Sequence, residues 1–227
     1  MISRIVPDAS ISPMGRLVPL VAVAGVIAGA AVLVGLTLRQ PMVPTYAPTP
    51  LAPHDAGTSR VGPVLYTVDA TAPDLWRPFS FKLGSVLDDA AAATTGGVAR
   101  GDLAFRRYSI VAGLGAGIQD LGETRFDDVQ NVPADGYVGN EGQAEPRNPA
   151  IASWYRYGFF THVLSPKRHV WAVRTADARY AKLEIVGYYC PGARPGCLTF
   201  RYVYQGDGST RVEPPPGRVS WHSTRSR

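Results

Sequence analysis

A mostly β architecture is predicted from the sequence: a single antiparallel β domain with an N-terminal transmembrane helix. Three observations predict it. From Val64 onward, apolar and polar residues alternate with period two, and the apolar positions favour β-branched and aromatic side chains, the pattern of half-buried strands. Glycine- and proline-marked turns separate these runs, and helical character is confined to the short acidic stretch Thr124–Val129. Upstream, Leu17–Leu38 runs for 22 residues without a charge.

That apolar stretch predicts the first element. As a helix it spans roughly 33 Å, matching a hydrocarbon core of ~30 Å. Pro19 falls in the first turn, where proline is tolerated, and Gly25, Gly29 and Gly35 are of a type common in membrane helices. A secretory signal has an apolar region of only ~7–15 residues and a small-x-small cleavage site. Thr37-Leu38-Arg39-Gln40-Pro41 offers no such site. Residues 17–38 are therefore expected to be a retained signal-anchor. A cleaved signal is the first alternative and a buried core helix the second. Arg4 and Arg16 outnumber Arg39 as flanking charges, which places residues 1–16 in the cytoplasm and the remainder outside. No cysteine precedes Cys190, and a lipid-anchored export signal needs one at its cleavage point, so a lipoprotein is not expected from the sequence as written.

Residues 39–63 are rich in Pro, Ala and Thr and are predicted to be an extended, solvated linker, with His54 exposed in it. The β domain is predicted over 64–211, with strands at Val64–Val68, Phe79–Leu83, Asp102–Val111, Trp154–Tyr157, His169–Arg174, Tyr180–Tyr189 and Leu198–Tyr204. Asp177-Ala178-Arg179 joins VWAVRTA to RYAKLEIVGYY as a hairpin. Alternation puts Leu183 and Ile185 on its buried face, with Lys182 and Glu184 opposite. Gly113–Gly117 lacks a phosphate-loop Lys-Ser/Thr and is expected to be a flexible loop. Asn131–Asn148 is expected to be a long loop. Residues 212–227, with Trp221 and His222, are expected to be a disordered tail.

Cys190 and Cys197 bracket a Pro/Gly turn at the junction of two strands. Outside the cytoplasm, a disulfide clipping this hairpin is the expected state. There is no Cys-x-x-Cys and no second pair for zinc.

Composition excludes several functions. The apolar share of 45% supports a packed core. A net charge of +5 without a run of like charges gives no sign of nucleic-acid binding. No Gly-x-Ser-x-Gly elbow and no His-Glu-x-x-His occur. Asp88-Asp89 and Asp127-Asp128 are adjacent in sequence and so point apart on a strand. An enzyme is not expected.

The candidate ligand site rests on imidazoles and aromatic rings. His162 and His169 flank the turn-like Ser165-Pro166-Lys167, and they are the only histidines in the β domain. Each is either a hydrogen-bonded surface histidine or a ligand to a metal or haem iron. No methionine follows Met42, which excludes a methionine ligand from the β domain. Trp154, Tyr155, Tyr157, Phe159, Phe160 and Trp171 either line a flat apolar site or fill the core. Trp154 and Tyr157 are carried forward with the two histidines as candidate binding residues.

Several runs resemble the HmuY-like family: Asp102-Leu-Ala-Phe-Arg-Arg-Tyr108, Trp154-Tyr-Arg-Tyr157, Thr161-His-Val-Leu-Ser-Pro-Lys167, and VRTADARYAKLEIVGYY with the following LTFRYVYQ. The resemblance covers about residues 64–205. It implies an antiparallel β domain on the surface or in the periplasm of a bacterial envelope. It also implies haem as ligand, passed to an outer-membrane receptor or haem-carrier protein. His162 falls within a family-like stretch, whereas His169 is proposed on chemistry alone. Two features depart from the family: members are commonly lipoproteins, and they usually carry Trp where this chain has Gly101. The alternative function is a cofactor-free envelope interaction or adhesion domain of the same fold.

Overall fold

The structure, a computed structural model, describes residues 13–38, 42–87, 100–142 and 144–213. The N-terminal residues through 12, positions 39–41 of the expected linker, Asp88-Asp89, and the tail from 214 with Trp221 and His222 lie outside these residues.

The chain divides into two units, α1 belonging to one and residues 43–158 and 162–213 to the other. Helix α1 spans Pro13–Leu38 and contains the predicted apolar stretch. Among the described residues no helix is long and apolar enough to cross a membrane.

The strands are β1 (Arg60–Asp69), β2 (Arg77–Ser80), β3 (Ser85–Val86), β4 (Leu103–Arg106), β5 (Ser109–Ala112), β6 (Gly117–Glu123), β7 (Tyr155–Tyr157), β8 (Leu164–Pro166), β9 (His169–Arg174), β10 (Tyr180–Cys190) and β11 (Arg194–Gln205). They form an antiparallel five-stranded sheet in the order β1-β11-β10-β9-β6, a four-stranded sheet β3-β2-β4-β5, and the β7-β8 hairpin. The mostly β, antiparallel prediction holds. The predicted hairpin is β9–β10, with Tyr180 opposite Arg174 and Leu183 opposite Trp171.

The two larger sheets pack face to face through aromatic rings. Phe79 of β2 meets Phe200 of β11 edge-on at 5.2 Å, and Phe105 of β4 stacks on Phe200 at 5.3 Å. Leu183, Ile185 and Trp171 fill the same core. The opposite face of the five-stranded sheet is also covered, by a second cluster of Phe126, Val132, Val170, Ala172, Tyr180, Val203 and Val212. This double burial explains why β9 and β11 are apolar at successive positions instead of alternating.

It also corrects the expected exposure of Lys182. Its face of β10 lies under the second cluster, and the residue is 4% exposed. Its Nζ donates to the carbonyls of Phe126 and Val129 at 2.8 and 2.6 Å and sits 4.5 Å from the centre of the Phe126 ring. The predicted acidic helical stretch is reduced to a 3-10 turn, Phe126–Asp128, which this lysine holds. Val212 is buried and its N–H donates to Gln130, so the domain's packing includes the first residue assigned to the tail.

Two strand assignments differ from expectation. The run Asp102–Val111 is a hairpin, β4–β5, turning at Arg107 and Tyr108. Arg107 takes φ 53°, held by its N–H to Ala70 O and its Nη1 to Thr71 O. Beyond Gly113, expected to open a flexible loop, Gly117–Glu123 forms β6 and pairs with β9. Gly101 is explained by space. It has φ 134°, and a Cβ there would lie 2.9 Å from Phe79 O, so no larger residue fits.

The linker is corrected as well. Residues 43–56 do not hold away from the domain. Tyr46 N donates to Tyr189 O, Thr49 N to Thr67 O, His54 N to Leu83 O and Ala56 N to Lys82 O. These four N–H groups of a proline-rich stretch find domain carbonyls and tie it along the β domain. Cys190 and Cys197 are disulfide-bonded with Cα atoms 4.8 Å apart, as expected.

Candidate functional site

Strand β7 is short because Gly158 and the following residues turn the chain. His162 N donates to Gly158 O and Gly158 N to Val163 O. His162 itself sits at φ 54°, a region where a histidine is uncommon and which recurs at functional sites. β8 is pinned to the main sheet by Leu164 N donating to Tyr189 Oη at 2.8 Å. The resulting hairpin presents Tyr157 and His162 to solvent, with Tyr157 Oη hydrogen-bonded to His162 Nδ1.

Beside this hairpin lies a cleft of about 450 Å³, within the range of small-molecule sites. Its walls are Tyr108, Ser109 and Ile110 from the β4–β5 turn, Glu145–Arg147, Ala152, Ser153, and Tyr155 of β7. The Tyr108 and Tyr155 rings meet edge-on at 5.9 Å. Glu145 is ion-paired with Arg106, whose guanidinium covers Trp76 at 4.5 Å. Tyr155 and Tyr157 are two apart on one strand and so project from the same face. The cleft wall and the Tyr157–His162 pair are thereby consecutive on β7.

The remaining candidates fall elsewhere. Trp154 is fully buried, and its indole N–H donates to Tyr108 O at 2.8 Å. It props the cleft from behind and presents no ring to it. Trp171 is likewise buried, donating to Ala150 O. His169, at the start of β9, has Nδ1 3.0 Å from both carboxylate oxygens of Asp120 on β6 and stacks on Trp171. It belongs to the main sheet and His162 to the small hairpin, and each has its own partner. Phe159 and Phe160 are exposed and pack edge-to-face on each other.

Among the described residues no group of three His, Cys, Asp or Glu side chains could hold a metal ion alone. The donors occur singly or as the Tyr157–His162 and Asp120–His169 pairs. Sequence reasoning missed Tyr108, Arg147 and Asp120. They lie in a strand-like run, a loop and a glycine-flanked segment, where nothing in the residue pattern marks them.

No family model matches the chain, and no curated protein does. Solved structures do match. The apo HmuY analog of Tannerella forsythia has a TM-score of 0.54 at 16% identity, covering 66% of this chain and 99% of that one. A candidate lipoprotein of Bacteroides fragilis has a TM-score of 0.53 at 18% identity, covering 68% and 96%. The fold is HmuY-like. A candidate HmuY-like heme binding protein of Bacteroides vulgatus adds a TM-score of 0.51 at 17% identity, covering 68% and 97%. Identities this low make the HmuY-like likeness one of fold. It bears out the resemblance read over residues 64–205 at that level.

Proposed function

We propose that this chain is an envelope protein that binds haem in the Tyr108–Tyr155 cleft, with the iron at the Tyr157–His162 end. The observation that carries the reading is the single strand β7, which sets Tyr155 in the cleft wall and Tyr157, joined to His162, next along the same face. The donor chemistry suits haem: an imidazole and a phenol for iron, aromatic faces for the macrocycle, and Arg147 for a carboxylate. A HmuY-like heme binding protein among the solved structures shares the fold, which supports the same ligand class here. His169 is the less suited imidazole, since it stacks on Trp171 and is held by Asp120 of the five-stranded sheet, whereas Tyr155 and Tyr157 are on the β7–β8 hairpin.

Hemin titration of the full chain tests this. A saturable Soret band is expected. His162→Ala should shift it and weaken binding tenfold or more, while His169→Ala and His54→Ala should leave it unchanged. Absence of saturable binding would remove the haem reading.

The envelope setting belongs to the same proposal. Residues 21–35 contain only Ala, Gly, Val, Ile and Leu and are exposed throughout, which suits lipid on every side. Residues 17–38 would anchor the chain, with the β domain outside the cytoplasm, handing haem to an outer-membrane receptor or carrier. A reporter active only outside the cytoplasm, fused after Gln205, should be active and sediment with membranes. A soluble product lacking the first ~40 residues would show cleavage.

A further inference from the structure

We infer that the turn of the β7–β8 hairpin docks on the membrane surface, with the Phe159 and Phe160 rings entering the headgroup layer of an anionic bilayer. The inference rests on the reading of residues 17–38 as an anchor and is independent of the haem reading.

The turn is apolar and its flanks are cationic. Gly158 N donates to Val163 O and His162 N to Gly158 O, which leaves Phe159, Phe160 and Thr161 between them. The two rings are 74% and 80% exposed and meet edge-to-face at 5.4 Å. Together they present a patch on the order of 300 Å², the size at which exposed apolar surface marks a contact. Residues 154–168 hold Arg156, Lys167 and Arg168 and no Asp or Glu. None of these three cations enters an ion pair among the described residues. Exposed aromatic rings with unpaired cations behind them match the two layers of an anionic interface, acyl chains below and phosphates above.

The length of the tether favours lipid as the occupant. Val43 and Pro44 line one small cleft with Val163 and Leu164 of the hairpin. Tyr189 ties both segments, its carbonyl accepting from Tyr46 N and its hydroxyl from Leu164 N. Helix α1 ends at Leu38, and the five residues from there to Val43 reach at most ~18 Å. The hairpin is thus among the first parts of the domain that the chain meets on leaving the bilayer, and its turn lies three residues beyond Val163, another ~10 Å. A three-residue turn also offers far less than the ~800 Å² per partner of a stable protein interface.

The test uses the full chain with Thr161→Cys carrying an environment-sensitive dye, reconstituted into vesicles of phosphatidylcholine with phosphatidylglycerol. The dye should be blue-shifted and severalfold brighter than at Leu114→Cys, an exposed position beside the β9–β10 turn. Lipids bearing a nitroxide near the headgroup should quench it, and aqueous iodide should not. Adding Phe159→Ser and Phe160→Ser, both at exposed positions, should abolish the shift and the lipid quenching and restore access to iodide while the chain still floats with the vesicles. Equal quenching in phosphatidylcholine alone would overturn the role given to the three cations. A chain that floats while its dye stays open to iodide would overturn the inference and leave the anchor reading standing. A blue shift without nitroxide quenching would place the turn against protein, a second copy included, and overturn it too. A chain that does not float would overturn both readings.

Discussion

Lys182→Met removes a charge from between two carbonyls while keeping most of the side-chain volume. In the folded protein Nζ donates to Phe126 O and Val129 O and covers the Phe126 ring. Methionine leaves two carbonyls without that donor, at ~1–3 kcal/mol each where they are buried, and loses a cation–π contact of ~0.5–2 kcal/mol. Against this stands relief from burying an ammonium, the cost that holds the Lys182 pKa below its ordinary value of 10.5. The expected net loss is about 2–3 kcal/mol, read by urea unfolding followed through the buried Trp154 and Trp171. The pH dependence carries a further signature. Between the depressed folded value and 10.5 the unfolded chain binds more protons than the folded one, so wild-type stability relative to Lys182→Met should rise with pH across that window. A variant as stable as wild type, or a difference flat up to pH ~10.5, would refute the role given to this lysine.

Three further outcomes are expected. Burial pushes the Asp102 carboxyl up to about 6, against the opposing hydrogen bond from Phe81 N–H. Its stabilising contribution is complete below the unfolded value of ~3.9 and is lost as pH rises through about 6, a change of about 3 kcal/mol that Asp102→Asn should flatten in unfolding measured from pH 4 to 7. Replacing both Cys190 and Cys197 with Ala should cost roughly 2–3 kcal/mol by the chain-entropy argument, and unchanged stability would contradict it. Gly187→Ala would set a Cβ against the Tyr46 ring. Limited proteolysis should then cut within 43–56 faster than in wild type, and equal rates would show that Tyr46 is not what holds this segment down.

The β9–β10 hairpin could be read from residues alone because its turn and its alternation agree, and the structure pairs it as expected. β6 could not, since GIQDLGE begins on a glycine, holds another at Gly122 and carries a single β-branched residue, Ile118. It is a strand because β9 offers it an edge. The β4–β5 turn was hidden for the opposite reason: Arg107 reaches positive φ without Gly or Asn, held by Ala70 and Thr71. Lys182 follows the polar face by pattern, but a second layer of packing covers that face. At the candidate site, His162 and Tyr157 are visible as residue types. The cleft beside them joins segments around 108, 146 and 155, and no local pattern encodes that meeting. Trp154, taken as a ligand contact, serves as the prop behind it.

Among the described residues β1 pairs with no strand but β11, which has a consequence for how the chain is made. Asp69 meets Cys197 and Arg60 meets Gln205, so the first strand of the domain waits for the last. At ~5–20 residues per second, synthesis leaves β1 partnerless for roughly 7–30 s while the intervening ~130 residues emerge. Until then the sheet ends at β10, the edge that β11 will cover, and the aromatic core is incomplete. A ribosome-bound chain truncated before Leu198 should therefore remain protease-sensitive throughout the domain, β1 included. Native resistance should appear abruptly when the final strand is released, as an all-or-nothing threshold in chain length.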